Sequence, residues 1–331
     1  MQYYPLKFEP ILKEVIWGGS EIARFKQLKQ PMEHIGESWE ISHLPNDVSV
    51  VANGLYAGKT LGFLMQNFRD RFVGEQVWNR FGETFPLLVK LIDAKKDLSI
   101  QVHPDDVLGR LRHNSPGKTE MWYVIRAEPG SRLVSGFRRK VDADEYRSLV
   151  ASNQIEEVLQ THDVHAGDVF FLPAGRVHAI GGGILLAEIQ QTSAITYRIY
   201  DYNRTDLQGN KRELHTELAL EALDFTPLLG AKVDYLSRMN EVVPLVSCSY
   251  FTCNQIHIQS TTKLTAECAR DFCALDSFVI YVCMEGTARV YYGNGLYETL
   301  QSGETCLLPC GIQEVMLRTE TDCLLLETYI H

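Results

Sequence analysis

Residues Gly167–Ile180 read GDVFFLPAGRVHAI, and residues Gly303–Met316 read GETCLLPCGIQEVM. Both follow Gly-x5-Pro-x-Gly-x2, ending in His178 in the first copy and Glu314 in the second. The pattern describes a strand held between two turns: glycine supplies positive φ, and proline fixes the way into the second turn. Upstream, EMWYVIRAEPGSRLVSG aligns with DSFVIYVCMEGTARVYYG, which places Glu120 over Asp276 and Gly130 over Gly286. Two copies of a turn-rich, strand-rich unit predict a mainly β protein of two barrel or jelly-roll units, with a few accessory helices.

Working outward from His178, further metal-binding side-chain types stand on neighbouring strand-like runs. Gln101 and His103 lie in LSIQVHPDD, two residues apart, so an extended strand points both to one face. Glu120 opens the run Met121–Ile125. A lone histidine is usually an ordinary hydrogen-bonded residue. Two imidazoles and a carboxylate on separate strand-like segments instead suit a first-row divalent cation, and three strong ligands leave room for water or substrate. The second copy lacks the Gln-x-His pair and carries Glu314 in place of His178, so it reads as structural.

The chain has 331 residues, more than one hydrophobic core usually serves, and the repeat suggests where it divides. Residues 1–240 are expected to form a metal-binding catalytic unit with helical insertions, and 241–331 a second, degenerate one. Helical spacing appears in 61–81, interrupted by Gly74, in 141–160 and in 213–225; the rest reads as strands and turns. With 45% hydrophobic and 22% charged residues, the composition is that of a soluble globular protein. A net charge of −10 argues against nucleic acid or an anionic membrane as partner, but not against a small anion in a locally basic pocket. The first residues lack a signal-peptide pattern, and no apolar run is long enough to span a bilayer. All eight cysteines lie beyond residue 247 without a CxxC pair, and several sit in apolar strand-like runs. A reducing, cytoplasmic setting is expected, for a monomer or small homo-oligomer.

The Gly-x5-Pro-x-Gly-x2-His pattern resembles the second motif of the cupin superfamily. A fuller set of stretches resembles the type I phosphomannose isomerase family in its short bacterial form: VIWGG, GESWEIS, LLVKLIDAKKDLSIQVHPDD, GKTEMWYVI, FLPAGRVHAIGGGILLAEIQQTSAITYRIYDYNR and RELHTELALEAL. They run in the family's order from residue 15 to about 225; beyond 245 the likeness is only to a β-rich cupin unit. The resemblance implies a zinc-dependent aldose–ketose isomerase acting on mannose 6-phosphate and fructose 6-phosphate, with one Zn2+ per chain. Its metal ligands fall on Gln101, His103, Glu120 and His178. Its catalytic arginine falls on Arg198, its proton-transferring carboxylate on Glu188, and its phosphate contacts on Ser99, Lys118 and Arg204. Longer members insert a large helical domain that this chain lacks.

The residue types fit that chemistry. Moving a carbonyl between adjacent carbons builds negative charge on oxygen in an enediolate, which a redox-inert Lewis acid and a fixed guanidinium stabilise. Read from the residues alone, Arg198 is better taken as a salt-bridge partner for Asp201, Lys118 and Arg204 are read nearly as well as solvated charges, and Trp17, Trp39 and Trp122 are better read as core. Because histidines must be neutral to bind metal, affinity is expected to fall through about pH 6 to 7. Two rivals remain: an Fe(II) cupin oxygenase, and a non-catalytic sugar-phosphate-binding cupin.

Overall fold

The computed structural model describes residues 1–331 except 31, 206–208, 228–229, 260–265 and 294. It is mainly β, and every pairing between named strands is antiparallel. No helix among the described residues is long and apolar enough to cross a membrane.

Two sheets build the first unit. The larger runs Val169–Leu172, Glu120–Ala127, Ile184–Gln191, Leu87–Ala94, Ile11–Gly19 and Ile35–Ile41, with the last also paired to Leu87–Ala94. The smaller runs Leu159–Asp163, Arg132–Phe137, His178–Ile180, Ile100–Val102 and Tyr197–Tyr200. Strands Leu87–Ala94 and Ile184–Gln191 are buried along their whole length, so both faces of this sheet are covered. One face carries Met121, Val89, Leu91, Ala187 and Ile189 into a core shared with Phe278, Ile280 and Leu326 of the second unit. The other face points toward the smaller sheet. There alternation brings Trp122, Glu188, Lys90 and Trp39 side by side on four strands, and Glu120 beside Gln190 two residues along. One face of the sheet glues the units together, and the other furnishes a polar interior.

The second unit packs the four-stranded sheet Ala266–Asp271, Glu314–Thr319, Thr287–Tyr291 and Tyr297–Gln301 against a six-stranded one, around a core including Tyr281, Val290, Cys306, Leu317 and Leu325. The six-stranded sheet includes the opening strand Leu6–Lys7, paired with Thr305–Leu308. All eight cysteines are free. Phe85 and Phe278 meet across the units with ring centroids 4.6 Å apart, both fully buried. Phe278→Ala is expected to cost about 3–5 kcal/mol, read as a lower midpoint in urea unfolding followed by circular dichroism.

Register corrects the alignment of the repeat. Leu172 faces Glu120 in the first unit, and its counterpart Leu308 faces Val279 in the second. Glu120 therefore corresponds to Val279, not to Asp276, because the connections after the two strands differ in length. Asp276 instead accepts the backbone N–H groups of Glu75 and Gln76 at the start of helix Glu75–Phe81. In the corrected frame Tyr281, Glu327 and Asn254 stand where Trp122, Glu188 and Lys90 stand. Arg270 closes on Glu327 with two hydrogen bonds of 2.8 Å, adding to those from Tyr281 and Asn254.

The helices match the periodicity with adjustments. Region 61–81 forms Leu61–Phe68, Asp70–Val73 and Glu75–Phe81, broken at Gly74, whose φ is +95°. Region 141–160 gives Ala143–Ala151 and a 3-10 turn Ile155–Val158, and 213–225 gives the shorter Thr216–Ala222. Two α-helices were not expected among the described residues: the five-residue Glu21–Phe25, and Asp106–His113, just after His103. The signals of the second are at its ends. Asp105 accepts Leu108 N–H as N-cap, and Asn114 closes the helix in the left-handed region.

Candidate metal centre

The turns that follow and precede the ligand strands are tied together by backbone contacts. Lys118 N–H donates to Pro104 O at 3.0 Å, and Gly175 N–H donates to His103 O at 2.9 Å. Ala174 N–H donates to Thr119 Oγ1 at 3.2 Å. Gly117 lies so close to Asp105 that a Cβ there would meet its carbonyl carbon at 2.5 Å. Three segments distant in sequence thus converge between the sheets, and His103, Glu120 and His178 offer ligand atoms within 4.8 Å of one another. All three are buried.

Hydrogen bonding shows what this cluster needs. His103 Nδ1 lies 2.8 Å from Ile195 O, and His178 Nδ1 lies 2.8 Å from Arg176 O. A carbonyl accepts only, so each Nδ1 carries the ring proton and each Nε2 presents a lone pair. The two Nε2 atoms are 3.1 Å apart. Two lone pairs at that distance repel unless something positive lies against them. Glu120 faces both rings, Oε1 3.4 Å from His178 Nε2 and Oε2 3.6 Å from His103 Nε2. Lys118 Nζ is 2.9 Å from Glu120 Oε2 but off the line of a hydrogen bond, so neither carboxylate oxygen has a well-directed donor among the described residues. The amide of Gln101, paired in register with His178, has its nitrogen 3.2 Å from His178 Nε2; turning the amide over presents its oxygen. Two imidazole nitrogens, a donor-poor carboxylate and an amide oxygen fit a divalent cation of the zinc class.

Beside this cluster lies a charged group on the larger sheet. Glu188 Oε2 accepts the Trp122 indole N–H at 2.9 Å, while Oε1 has Lys90 Nζ at 3.2 Å and Lys118 Nζ at 3.6 Å. Lys90 also approaches Glu37 at 3.5 Å and lies over the Trp39 ring. Lys90 was not singled out from sequence. The signal was there, a single cation in LLVKLIDA, a strand otherwise free of charge until Asp93 and buried throughout.

The remaining candidates lie nearby. Ser99 is buried just before Ile100–Val102, on the face of Gln101 by alternation. Arg198 is paired in register with Gln101; its Nη1 donates to Glu213 O at 2.9 Å, and its Nε has no partner among the described residues. The plain salt bridge with Asp201 is not what forms. Asp201 is taken by Arg204 at 2.5 Å and by Arg212 at 2.5 and 2.7 Å. Arg204 also donates to Asp97 O and stacks on Tyr202. Trp122 is fully buried, Trp17 nearly so, and Trp39 half-buried at the edge of the charged group.

Burial sets the protonation states. It holds His178 down to about 4, and with help from Lys118 and the neighbouring ring it holds His103 well below the usual imidazole value. Both rings are therefore neutral at pH 7. Glu120 is pushed up to about 7, first by burial and then by the charge of Glu188. Glu188 moves the opposite way: burial would raise it, but the ammoniums of Lys118 and Lys90 and the Trp122 indole outweigh burial and keep it ionised. The pH expectation drawn from sequence changes owner. Between pH 7 and 5 the group that must lose a proton to bind metal is Glu120; His178 competes only nearer pH 4, and His103 is held well below the usual imidazole value. Metal affinity is expected to fall about tenfold per pH unit below 7, one proton per ion. Titration against a competing chelator measures it, and Glu120→Gln should flatten that limb while weakening binding throughout.

Comparison with known proteins agrees in family. A family model described as phosphomannose isomerase type I, catalytic domain, matches residues 6–124. The mannose-6-phosphate isomerase ManA of Bacillus subtilis (strain 168) is 33% identical over 97% of this chain and 98% of its own length. A mannose-6-phosphate isomerase of Streptococcus mutans serotype c is 36% identical over 92% of each. The crystal structure of a mannose 6-phosphate isomerase from Bacillus subtilis superposes with a TM-score of 0.86 at 33% identity, covering 99% of this chain and all of that one.

Proposed function

Since the chain belongs to the mannose-6-phosphate isomerase family and is an enzyme of that class, we propose that it interconverts mannose 6-phosphate and fructose 6-phosphate through an enediolate at a zinc centre. The observation that carries this reading is the pair of proton-bearing Nδ1 atoms that leaves two Nε2 lone pairs 3.1 Å apart beside a carboxylate without well-directed donors. His103, His178, Glu120 and the Gln101 amide would hold the ion. Bound there, it would supply Lewis acidity toward the sugar's carbonyl and hydroxyl oxygens.

The protein's own groups divide the rest. Glu188 is ionised, Trp122 fixes one of its oxygens, and the other is free of directed hydrogen bonds, so it can take a proton from carbon. In the aldose direction the proton leaves C2, the C–H pair becomes the C1–C2 π bond, and the carbonyl pair moves onto O1. Transfer of the O2 proton to O1 and return of a proton to C1 complete the ketose. Arg198, with an unpartnered Nε–H, stabilises the developing oxyanion. Lys90 and Lys118 hold Glu188 charged, and with Ser99 offer the phosphate a cationic, buried berth. Arg204, whose donors are engaged by Asp201 and Asp97, would reach phosphate only by giving those up.

The test is a coupled assay of fructose 6-phosphate formation from mannose 6-phosphate, with and without chelator, alongside metal analysis. Chelator-sensitive turnover with about one zinc per chain is expected. Metal-free protein with full activity would overturn the metal reading, and iron with oxygen uptake would favour an oxygenase instead.

A further inference from the structure

We propose that Asp106 is a positioning residue of the isomerase site, and that Tyr250 of the second unit sets it through a single hydroxyl; the proposal rests on the functional reading above. Asp106 sits three residues beyond His103 and its carboxylate hydrogen-bonds to no candidate ligand among the described residues, yet it collects three donors from three parts of the chain. Oδ1 accepts Gly117 N–H at 2.9 Å and Gln191 Nε2 at 3.0 Å, and Oδ2 accepts Tyr250 OH at 2.9 Å. Gln191 passes the restraint on, since its Oε1 accepts Thr119 N–H at 2.9 Å. Gly117 and Thr119 flank Lys118, and Glu120 follows.

The Gly117–Thr119 segment has no strand of its own to fix it; strand geometry begins at Glu120. Its position is therefore set by what its N–H groups donate to. One is Pro104 O, and the other two are Asp106 and Gln191. Gln191 ends the strand that carries Glu188, so one carboxylate ties the Lys118–Glu120 turn to the strand of the proton-transferring group. The donors hold Asp106 below the usual carboxylate range against the cost of burial, so it stays charged and accepts strongly. The second unit, whose own interior is closed by Arg270 on Glu327, thus contributes to the reaction by fixing a turn in the first.

Tyr250→Phe, Asp106→Asn, Asp106→Ala and the double variant Tyr250→Phe/Asp106→Ala test this in the full-length zinc-loaded protein. Two readouts are taken: kcat and KM for mannose 6-phosphate, and the rate at which zinc is lost to excess chelator. Asp106→Ala should cut kcat by about 30- to 100-fold and speed zinc loss, as expected of a sub-ångström misplacement of reacting groups. Asp106→Asn should recover most of this, because one amide oxygen still serves Gly117. Tyr250→Phe should give about a three- to tenfold loss, and the double variant should be no worse than Asp106→Ala, since Tyr250 acts only through Asp106. Arg80→Gln, which removes a cation stacked on the same Tyr250 ring, should lower thermal stability without altering zinc loss. Wild-type kcat and zinc retention in Tyr250→Phe, multiplicative losses in the double variant, or equal zinc loss in Arg80→Gln would each overturn the proposal. If the wild type failed to isomerise mannose 6-phosphate, the functional reading would fall, while the zinc-loss comparison would still decide the positioning role.

Discussion

Replacing His178 by alanine is expected to leave a folded protein that no longer holds zinc and has lost at least about a thousandfold in kcat/KM, several kcal/mol of transition-state stabilisation. The effect begins with the proton on Nδ1. Arg176 O fixes that proton, so Nε2 can serve only as a lone pair, and no other group in the cluster can replace it. Gln101 is left with a weaker amide oxygen, and Glu120 with a carboxylate that burial already disfavours in its charged form. Folding should survive, because the alanine leaves strand His178–Ile180 and its pairing with Arg132–Phe137 in place. What is lost in packing is a tilted contact with the His103 ring, centroids 4.7 Å apart, and an edge contact with Trp122, centroids 5.4 Å apart. The diagnostic is therefore linkage. Wild-type protein should gain thermal midpoint on adding zinc, as anything bound only by the native state must give. The variant should show the same midpoint with zinc as with chelator. A variant that kept both its zinc and its turnover would remove the metal centre from the mechanism.

The clustering of His103, Glu120 and His178 was legible because strand alternation is a strict rule. Gln101 and His103 two apart, and a turn pattern ending in His178, required only that the runs be strands. Lys90 was not legible in the same way. A cation inside LLVKLIDA has no local reason to be buried, and only the register that sets it beside Glu188 and Trp39 supplies one. The repeat misaligned by three residues at Glu120 because sequence similarity cannot count the length of a connection, whereas hydrogen-bond register can. Helix Asp106–His113 hid behind Gly109 and a polar composition. That glycine is there because a Cβ would meet the carbonyl oxygens of Ser115 and Pro116 at 2.8 Å, a contact made by chain beyond the helix's end. The pairing of Leu6 with Leu307 joins positions at opposite ends of the chain, with no local signal for it. Protonation was the least visible of all. That Glu120 is pushed up to about 7 while Glu188 stays ionised follows from shared burial, the repulsion between the two carboxylates and two nearby ammoniums, a sum over several strands and turns.

Glu188→Gln should be the most informative substitution, with kcat reduced by about 10²- to 10⁴-fold, the range for loss of a positioned acid–base group. Zinc content should be unchanged and KM little altered. The amide keeps the shape and can still accept the Trp122 indole N–H through its oxygen. What it cannot do is accept a proton from carbon, and its NH2 would then face the ammoniums of Lys90 and Lys118. A second signature separates chemistry from charge balance. Glu188 is the nearest negative charge raising Glu120, so its removal should lower the Glu120 value and carry the acid limb of zinc binding to lower pH. Exchange of the C2 hydrogen of mannose 6-phosphate with solvent deuterium, followed by NMR, should fall in step with kcat. If KM rose instead while kcat and exchange held, Glu188 would be a counter-ion for the two lysines, and the proton would have to travel through another group. Lys118, 2.9 Å from Glu120 and 3.6 Å from Glu188, is the side chain that would inherit the role.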